Sequence, residues 1–125
     1  IQLAKAAVCG GIWTLMDEYG VGLDDVDELL IAGGFGSHIN LASAARIGLF
    51  PKEFLPRAKS VGNSAGEGAS AILISQEARD ALDEVMRLSE YIELSVSAAF
   101  NEHYVDQMTF DSCPRCSARL LPSPP

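Results

Sequence analysis

Two glycine-rich blocks and one cysteine pair are the parts of this sequence whose residue types and spacing could do chemistry. Gly33-Gly34-Phe35-Gly36-Ser37 follows the short apolar run Leu29-Leu30-Ile31-Ala32. Glycines between a strand and a helix let the main chain come close to a phosphate or a nucleotide. The spacing excludes the two familiar phosphate loops. A dinucleotide fingerprint is Gly-x-Gly-x-x-Gly; Gly34 and Gly36 supply its first pair, but Ile39 stands where the third glycine belongs. Its acidic ribose partner is also poorly matched, since Glu53 lies just before a proline-bounded turn. A P-loop needs Gly-Lys followed by Ser or Thr, and the sequence has no Gly-Lys pair. Two readings remain. Gly33-Gly34 either leaves room for a flat adenine or ribose against the backbone, or makes a tight strand-to-helix turn that needs positive φ. Spacing alone favours the turn.

The second block is Gly62-Asn63-Ser64-Ala65-Gly66-Glu67-Gly68. Ser64 followed by Glu67 fits a capping box, so helix seating accounts for most of it. Asn63 is the exception, because its amide could hold a backbone group or a ribose hydroxyl. Cys113-Pro114-Arg115-Cys116 has the spacing of half a zinc site. Cys9, His38 and His103 are the remaining soft ligands and none belongs to a second pair, so no metal site is expected. A redox pair would follow a strand and open a helix, whereas this one sits in a proline-bearing tail. His38 reads as an exposed loop histidine, and Trp13 as core or interface packing. Glu93 reads as either a paired buried carboxylate or the solvent face of a strand. The cluster Asp24, Asp25, Asp27 and Glu28 lacks calcium-loop spacing and reads as a solvated entry to a strand.

The elements that must position these residues follow from periodicity. Residues 2–19 form a helical pattern, with Ala4, Val8, Ile12, Leu15 and Tyr19 at spacings of three and four. Gly10-Gly11 interrupts it at about 1 kcal/mol per glycine relative to alanine. Either another element approaches closely there or the helix breaks in two. Leu29–Ala32 suits a buried strand. Asn40 caps a helix running to Gly48, and Ala58–Val61 suits a second strand. A helix from Ala65 to Ile74 is followed by an amphipathic helix over Gln76–Leu88, with Ala78, Leu82, Val85 and Met86 inward. Tyr91–Leu94 reads as a third strand. Ser95 or Ser97 then caps a helix bearing Phe100, Tyr104 and Met108 on one stripe. From Asp111 the pattern stops, and residues 111–125 read as an irregular, poorly ordered tail. Strands alternating with helices indicate an α/β architecture, but three strands are few for a complete doubly wound domain.

The bulk properties narrow the partners. The 125 residues are 48% hydrophobic and 21% charged, with a formal net charge of -8, ordinary for a globular domain. The acidic balance argues against nucleic-acid or anionic-membrane surfaces. No run approaches the roughly 20 apolar residues of a membrane span, and no signal-peptide pattern opens the chain. Three cysteines make no disulfide framework, so a reducing, cytoplasmic setting is expected. A chain that starts at Ile1 already in helical register reads as a piece of a longer protein.

Three blocks then occur in one order: "LLIAGGFGSHINLASAARIGLFP", "VGNSAGEGASAIL" and "YIELSVSAAFNEHYVDQMTF". Together they resemble the C-terminal ATPase region of the reductive activators of corrinoid proteins, within the superfamily of sugar kinases, heat-shock chaperones and actin. The resemblance covers about residues 1–110 and not the tail. It implies an α/β, actin-like (ribonuclease H-like) ATPase lobe, partial in extent, that closes with a second lobe around Mg-ATP. It further implies that Gly33 and Gly34 form the adenosine-binding motif and that Phe35, Gly36 and Ser37 extend its wall; beside it, the Gly62–Gly68 block with Asn63 could reach the nucleotide or merely seat a helix. In such activators, ATP use is coupled to reduction of an inactive Co(II) corrinoid protein to Co(I) for methyl transfer in anaerobic metabolism, with electrons from an iron–sulfur cluster.

The resemblance also marks what this chain lacks. Phosphate loops and catalytic carboxylates belong mostly to the preceding lobe. Plant-type 2Fe-2S ligation uses four cysteines, and Cys9, Cys113 and Cys116 cannot provide it, so the cluster is expected only in an N-terminal region outside this chain. The chain alone is expected neither to hydrolyse ATP nor to transfer electrons, and no catalytic residue is assigned. The expected partners are a corrinoid protein, the missing ATPase lobe and, through the face that lobe would cover, a second copy as a homodimer. Two other readings stay open: the activator ATPase of a 2-hydroxyacyl-CoA dehydratase type, and a non-catalytic interaction module keeping the fold.

Overall fold

The computed structural model describes residues 1–110; the tail and its Cys113-Cys116 pair lie outside them. The described elements are helices α1 (Gln2–Tyr19), α2 (Gly33–His38), α3 (Leu41–Ile47), α4 (Ser64–Ile74), α5 (Gln76–Leu88) and α6 (Ala98–Asp106), with strands β1 (Leu29–Ala32) and β2 (Ala58–Gly62). Short 3-10 turns lie at Leu23–Asp25, Lys52–Arg57 and Leu94–Val96. The chain divides into two compact units. One comprises Ile1–Leu29, Asn40–Ala58 and the segment from Leu94 onward; the other comprises Leu30–Ile39 and Lys59–Glu93.

The first unit is built on the pairing of α1 with α6. Gly10 makes that pairing possible. A Cβ at Gly10 would lie 3.1 Å from the backbone nitrogen of Tyr104 and 3.3 Å from its Cα, so the two helix backbones meet where α1 has no side chain. Close approach, not a break, therefore explains the glycine pair in an unbroken helix. Gly11 is less constrained, with Leu94 Cδ1 at 3.6 Å. The buried face of α1 is Ala6, Cys9, Gly10, Trp13, Thr14 and Met16. The apolar stripe that signals the helix in the sequence lies elsewhere: Val8, Leu15 and Tyr19 on it are exposed. Gly10 admits the neighbouring helix, Trp13 and Met16 share the buried face, and Val8, Leu15 and Tyr19 are left outside.

Caps fix the ends of these helices. Gly20 closes α1 in the left-handed region at φ 65°. The Asn40 side chain accepts from the Ser43 amide at 2.9 Å, and Gly48 closes α3 at φ 79°. Ser97, one of the two serines expected to cap α6, accepts from the Phe100 amide at 3.1 Å. Phe100 and Tyr104 then stack along the helix at 5.8 Å. Phe50 and Phe54 are buried, as are Ala44 and Ala45 of α3, and α3 packs on the 3-10 turn after it. Arg57 donates to the carbonyls of Leu23 and Val26, anchoring the acidic loop. Asp25 caps the Gly22 amide at 2.7 Å, and all four acidic side chains of that loop are exposed.

The second unit holds a two-stranded parallel sheet of β1 and β2. β1 is half exposed rather than buried, with Leu30 and Ala32 on the open face. Alternating burial follows because a strand in so small a sheet has one covered face. α4 and α5 follow one another with Ser75 alone between them. Ser75 ends one helix and caps the next, accepting from the Ala78 amide at 3.2 Å. Arg79 donates to the carbonyls of Ile72 and Leu73 at 2.8 and 3.1 Å, satisfying groups that the end of α4 leaves open.

Three further expectations need correction. The inward residues of α5 are not buried: Leu82, Val85 and Met86 are exposed and Ala78 is half-buried, so the amphipathic face has no cover among the described residues. Residues 91–93 form no strand, and the 3-10 turn begins at Leu94. Alternation of Tyr91 and Glu93 outward with Ile92 and Leu94 partly inward produces the pattern in an extended segment without a ladder. The cap of α4 is Asn63, accepting from the Gly66 amide at 3.2 Å, not Ser64, which is already helical.

Candidate functional site

Gly33–Ser37 is a continuous piece of main chain that leaves β1 and immediately turns helical as α2. Gly33 has φ +86°, the conformation the strand-to-helix turn requires and one that favours glycine. Gly36 is buried under the strand it follows. A Cβ there would sit 2.5 Å from the Ile31 carbonyl oxygen and 3.0 Å from its carbon. Ser60 of β2 donates its hydroxyl to the Gly36 carbonyl, tying α2 to the second strand. Gly34 differs from both: a Cβ there meets nothing within 4 Å, and the residue is exposed. The stretch is therefore rigidly seated on one side and bare on the other, and a flat ring can lie against the Gly34 backbone without meeting a side chain from that residue.

Ser37 and His38 both turn back toward the main chain at the start of α2. Ser37 Oγ donates back to the Gly33 carbonyl at 3.3 Å. His38 is exposed, as expected, although it ends a helix rather than sitting in a loop; its Nδ1 lies 3.3 Å from the Gly34 carbonyl. Phe35 lies in α2 between Gly34 and Gly36. Asn63 follows β2 as Gly33 follows β1, at the C-terminal ends of adjacent parallel strands. It borders a shallow open depression with Gly66, Glu67, Ser70 and Ile74. Its carboxamide oxygen is used by the Gly66 amide, and a Cβ at Gly66 would meet the Asn63 amide nitrogen at 2.6 Å, so Gly66 makes room for the cap. The structure thus brings Gly33, Gly34, Phe35, Gly36 and Ser37 together and leaves Asn63 in a capping role. Ser60 is the positioning residue that sequence reading missed. A serine within a short strand gives no local signal of a partner 24 residues earlier.

Other weighed groups have structural partners. His103 is buried between α6 and α1 with Nε2 2.7 Å from Asp17 Oδ2. Cys9 is buried in α1. Glu93 is exposed and accepts from the Tyr91 hydroxyl at 2.5 Å; that bond, with some desolvation, raises the Tyr91 pKa above the ordinary tyrosine value. Among the described residues no group of three or more His, Cys, Asp or Glu could hold a metal ion, and no helix is long and apolar enough to cross a membrane. The chain's cysteines do not fit an iron–sulfur cluster, which needs more thiolates than this sequence has.

Comparison with known proteins adds three findings. A family described as the C-terminal domain of RACo, the ASKHA domain, matches residues 1–118. The corrinoid activation enzyme RamQ of Eubacterium limosum is 40% identical over 111 residues, covering 88% of this chain and 18% of that protein. A solved structure titled "Reductive activator for corrinoid,iron-sulfur protein" is similar with a TM-score of 0.79 and 36% sequence identity, over 86% of this chain and 17% of that one. The chain therefore spans less than a fifth of the length of the relatives it matches.

Proposed function

The chain belongs to the family of C-terminal ASKHA domains of RACo, an actin-like α/β lobe, and from that premise we propose that it supplies the adenosine side of an ATP site in a reductive activator of a corrinoid protein. Residues 1–110 are the lobe. The preceding lobe of the same protein contributes the phosphate-handling groups and Mg, and a 2Fe-2S domain outside this chain delivers the electron that takes Co(II) to Co(I). ATP can drive such a step only by binding one state of the activator–client complex better than another.

One observation carries the assignment of the site: Gly34 is bare toward open space while Gly33 and Gly36 on either side are fixed by φ and by contact with Ile31. Rigid backbone with no side chain in the way is what a flat purine or ribose needs. The exposed apolar face of α5, with Leu73 and Ile74 of α4 at 77% and 87% exposure, supports a lobe that packs against further structure of the same protein or a second copy.

Nucleotide titration followed by amide resonances tests the site. ATP with Mg should shift Gly33–Ser37, and a response confined to other regions would remove the assignment. The variant Gly34→Ala should keep the fold, because its Cβ has space, and should weaken adenine nucleotide binding about tenfold in the protein that carries both lobes. Unchanged affinity in that variant would place the adenosine elsewhere. The wider role is tested by following ATP-dependent formation of Co(I) on a corrinoid protein by its absorbance.

A further inference from the structure

Lys5 is a cation in an unusual position. It is 2% exposed, and its ammonium donates to the Thr109 carbonyl and lies 4.9 Å from the centre of the Phe110 ring. No carboxylate pairs with it among the described residues. Burying a charge is costly unless an opposite charge offsets it, and a carbonyl with one ring face offsets only part. Lys5 also lines a cavity of about 80 Å³ in the first unit, walled by Cys9, Trp13 and Phe50 and flanked by Arg46 and Lys52; its Nζ lies 3.4 Å from where a Cβ on Gly48, another lining residue, would stand. Three of the nine Lys and Arg residues of an acidic chain thus border one cavity, with Glu53 its single acidic lining residue. The same wall contains a second unmet group, since Trp13 Nε1 is buried with no hydrogen-bond partner.

We propose that this cavity is a binding site for a small monocarboxylate with a compact apolar body, its carboxylate paired with the Lys5 ammonium. The apolar walls suit the body of such a ligand, and one buried ammonium suits one negative charge. A phosphate dianion would bring a second charge into a cavity with one buried cation. Arg46 and Lys52, both exposed, attract the anion at the rim. The site goes beyond the nucleotide reading: it is formed by residues of the first unit, whereas Gly33–Ser37 belong to the second.

Trp13 is the single tryptophan of the chain, so its indole resonance reports on the wall directly. Sodium benzoate, titrated against sodium chloride of equal ionic strength, should shift that resonance saturably at millimolar concentration and raise the thermal midpoint. Lys5→Met keeps the aliphatic stem and removes the charge. It should weaken benzoate by at least about tenfold, as expected for loss of a charge-assisted hydrogen bond. The double variant Arg46→Gln, Lys52→Gln touches only exposed side chains and should weaken benzoate by a smaller factor. No saturable shift in the parent chain, or equal benzoate affinity in Lys5→Met, overturns the proposal. If Lys5→Met does not fold, the double variant decides, and unchanged benzoate affinity there overturns it.

Discussion

Replacing Gly10 by leucine is expected to destabilise the protein by about 3 kcal/mol as an overpacked contact. Two terms oppose each other. Any residue with a Cβ gains up to about 1 kcal/mol of helix propensity over glycine. Against that, the first side-chain atom already meets the Tyr104 backbone nitrogen at 3.1 Å and the His103 carbonyl carbon at 3.4 Å. These are main-chain atoms of a regular helix and cannot swing aside, so every atom beyond Cβ must push α6 away. Displacing α6 would also stretch the 2.7 Å bond between His103 and Asp17. Gly11→Ala is the matched control. Its Cβ would find only Leu94 Cδ1 at ordinary contact distance, so the propensity term prevails and stability should rise. Thermal or urea unfolding of the pair checks both signs. A Gly10→Leu protein as stable as the parent would mean that the α1–α6 approach is looser than described.

Gly36→Ala is the second large effect, expected to cost about 2–3 kcal/mol. Here the obstacle is the Ile31 carbonyl oxygen at 2.5 Å, a distance no Cβ tolerates. α2 must lift from β1, and lifting it breaks the bond from Ser60 to the Gly36 carbonyl. The second unit should lose protection around β1 and β2 in hydrogen exchange, while α1 and α6 keep theirs. Set beside Gly34→Ala, the substitution separates two jobs within one glycine run. Gly36 serves packing, so its loss should reduce stability first. Gly34 has no packing partner, so its loss should leave stability alone and act on nucleotide. Uniform loss of protection across both units on Gly36→Ala would contradict this division.

Local signals in the sequence were sufficient where the deciding atoms are near in sequence. α5 begins and ends at Gln76 and Leu88 as its periodicity predicts, and Asn40 and Gly48 bracket α3 with bonds reaching only three or four residues. The cap of α4 went to Asn63 because asparagine is at least as good a cap as serine and the small Gly66 leaves room for its amide. Longer-range facts were not legible. Three glycines in Gly33–Ser37 argue against a helix by propensity, yet α2 forms because Ile31 and Ser60 hold it. The inward face expected for α5 presupposes a covering element, which a pattern of spacing cannot supply. Tyr91–Leu94 shows the converse, since alternation needs a partner strand before it becomes a ladder. The candidate site follows the same division: the glycine stretch was visible as a run, whereas its seating depends on a serine in another strand.

The union of α1 with α6 has a consequence for how the chain is made. Its contacts join residues 86 and 104 positions apart, His103 to Asp17 and Lys5 to Thr109. At a translation rate of about 5–20 residues per second, α1 leaves the ribosome roughly 5–20 s before the helix that covers its Gly10 face. During that interval the small-residue groove and the neighbouring Trp13 are open to solvent. Holdases that shield nascent apolar segments would therefore meet this chain at α1, and the wait ends only when α6 is synthesised.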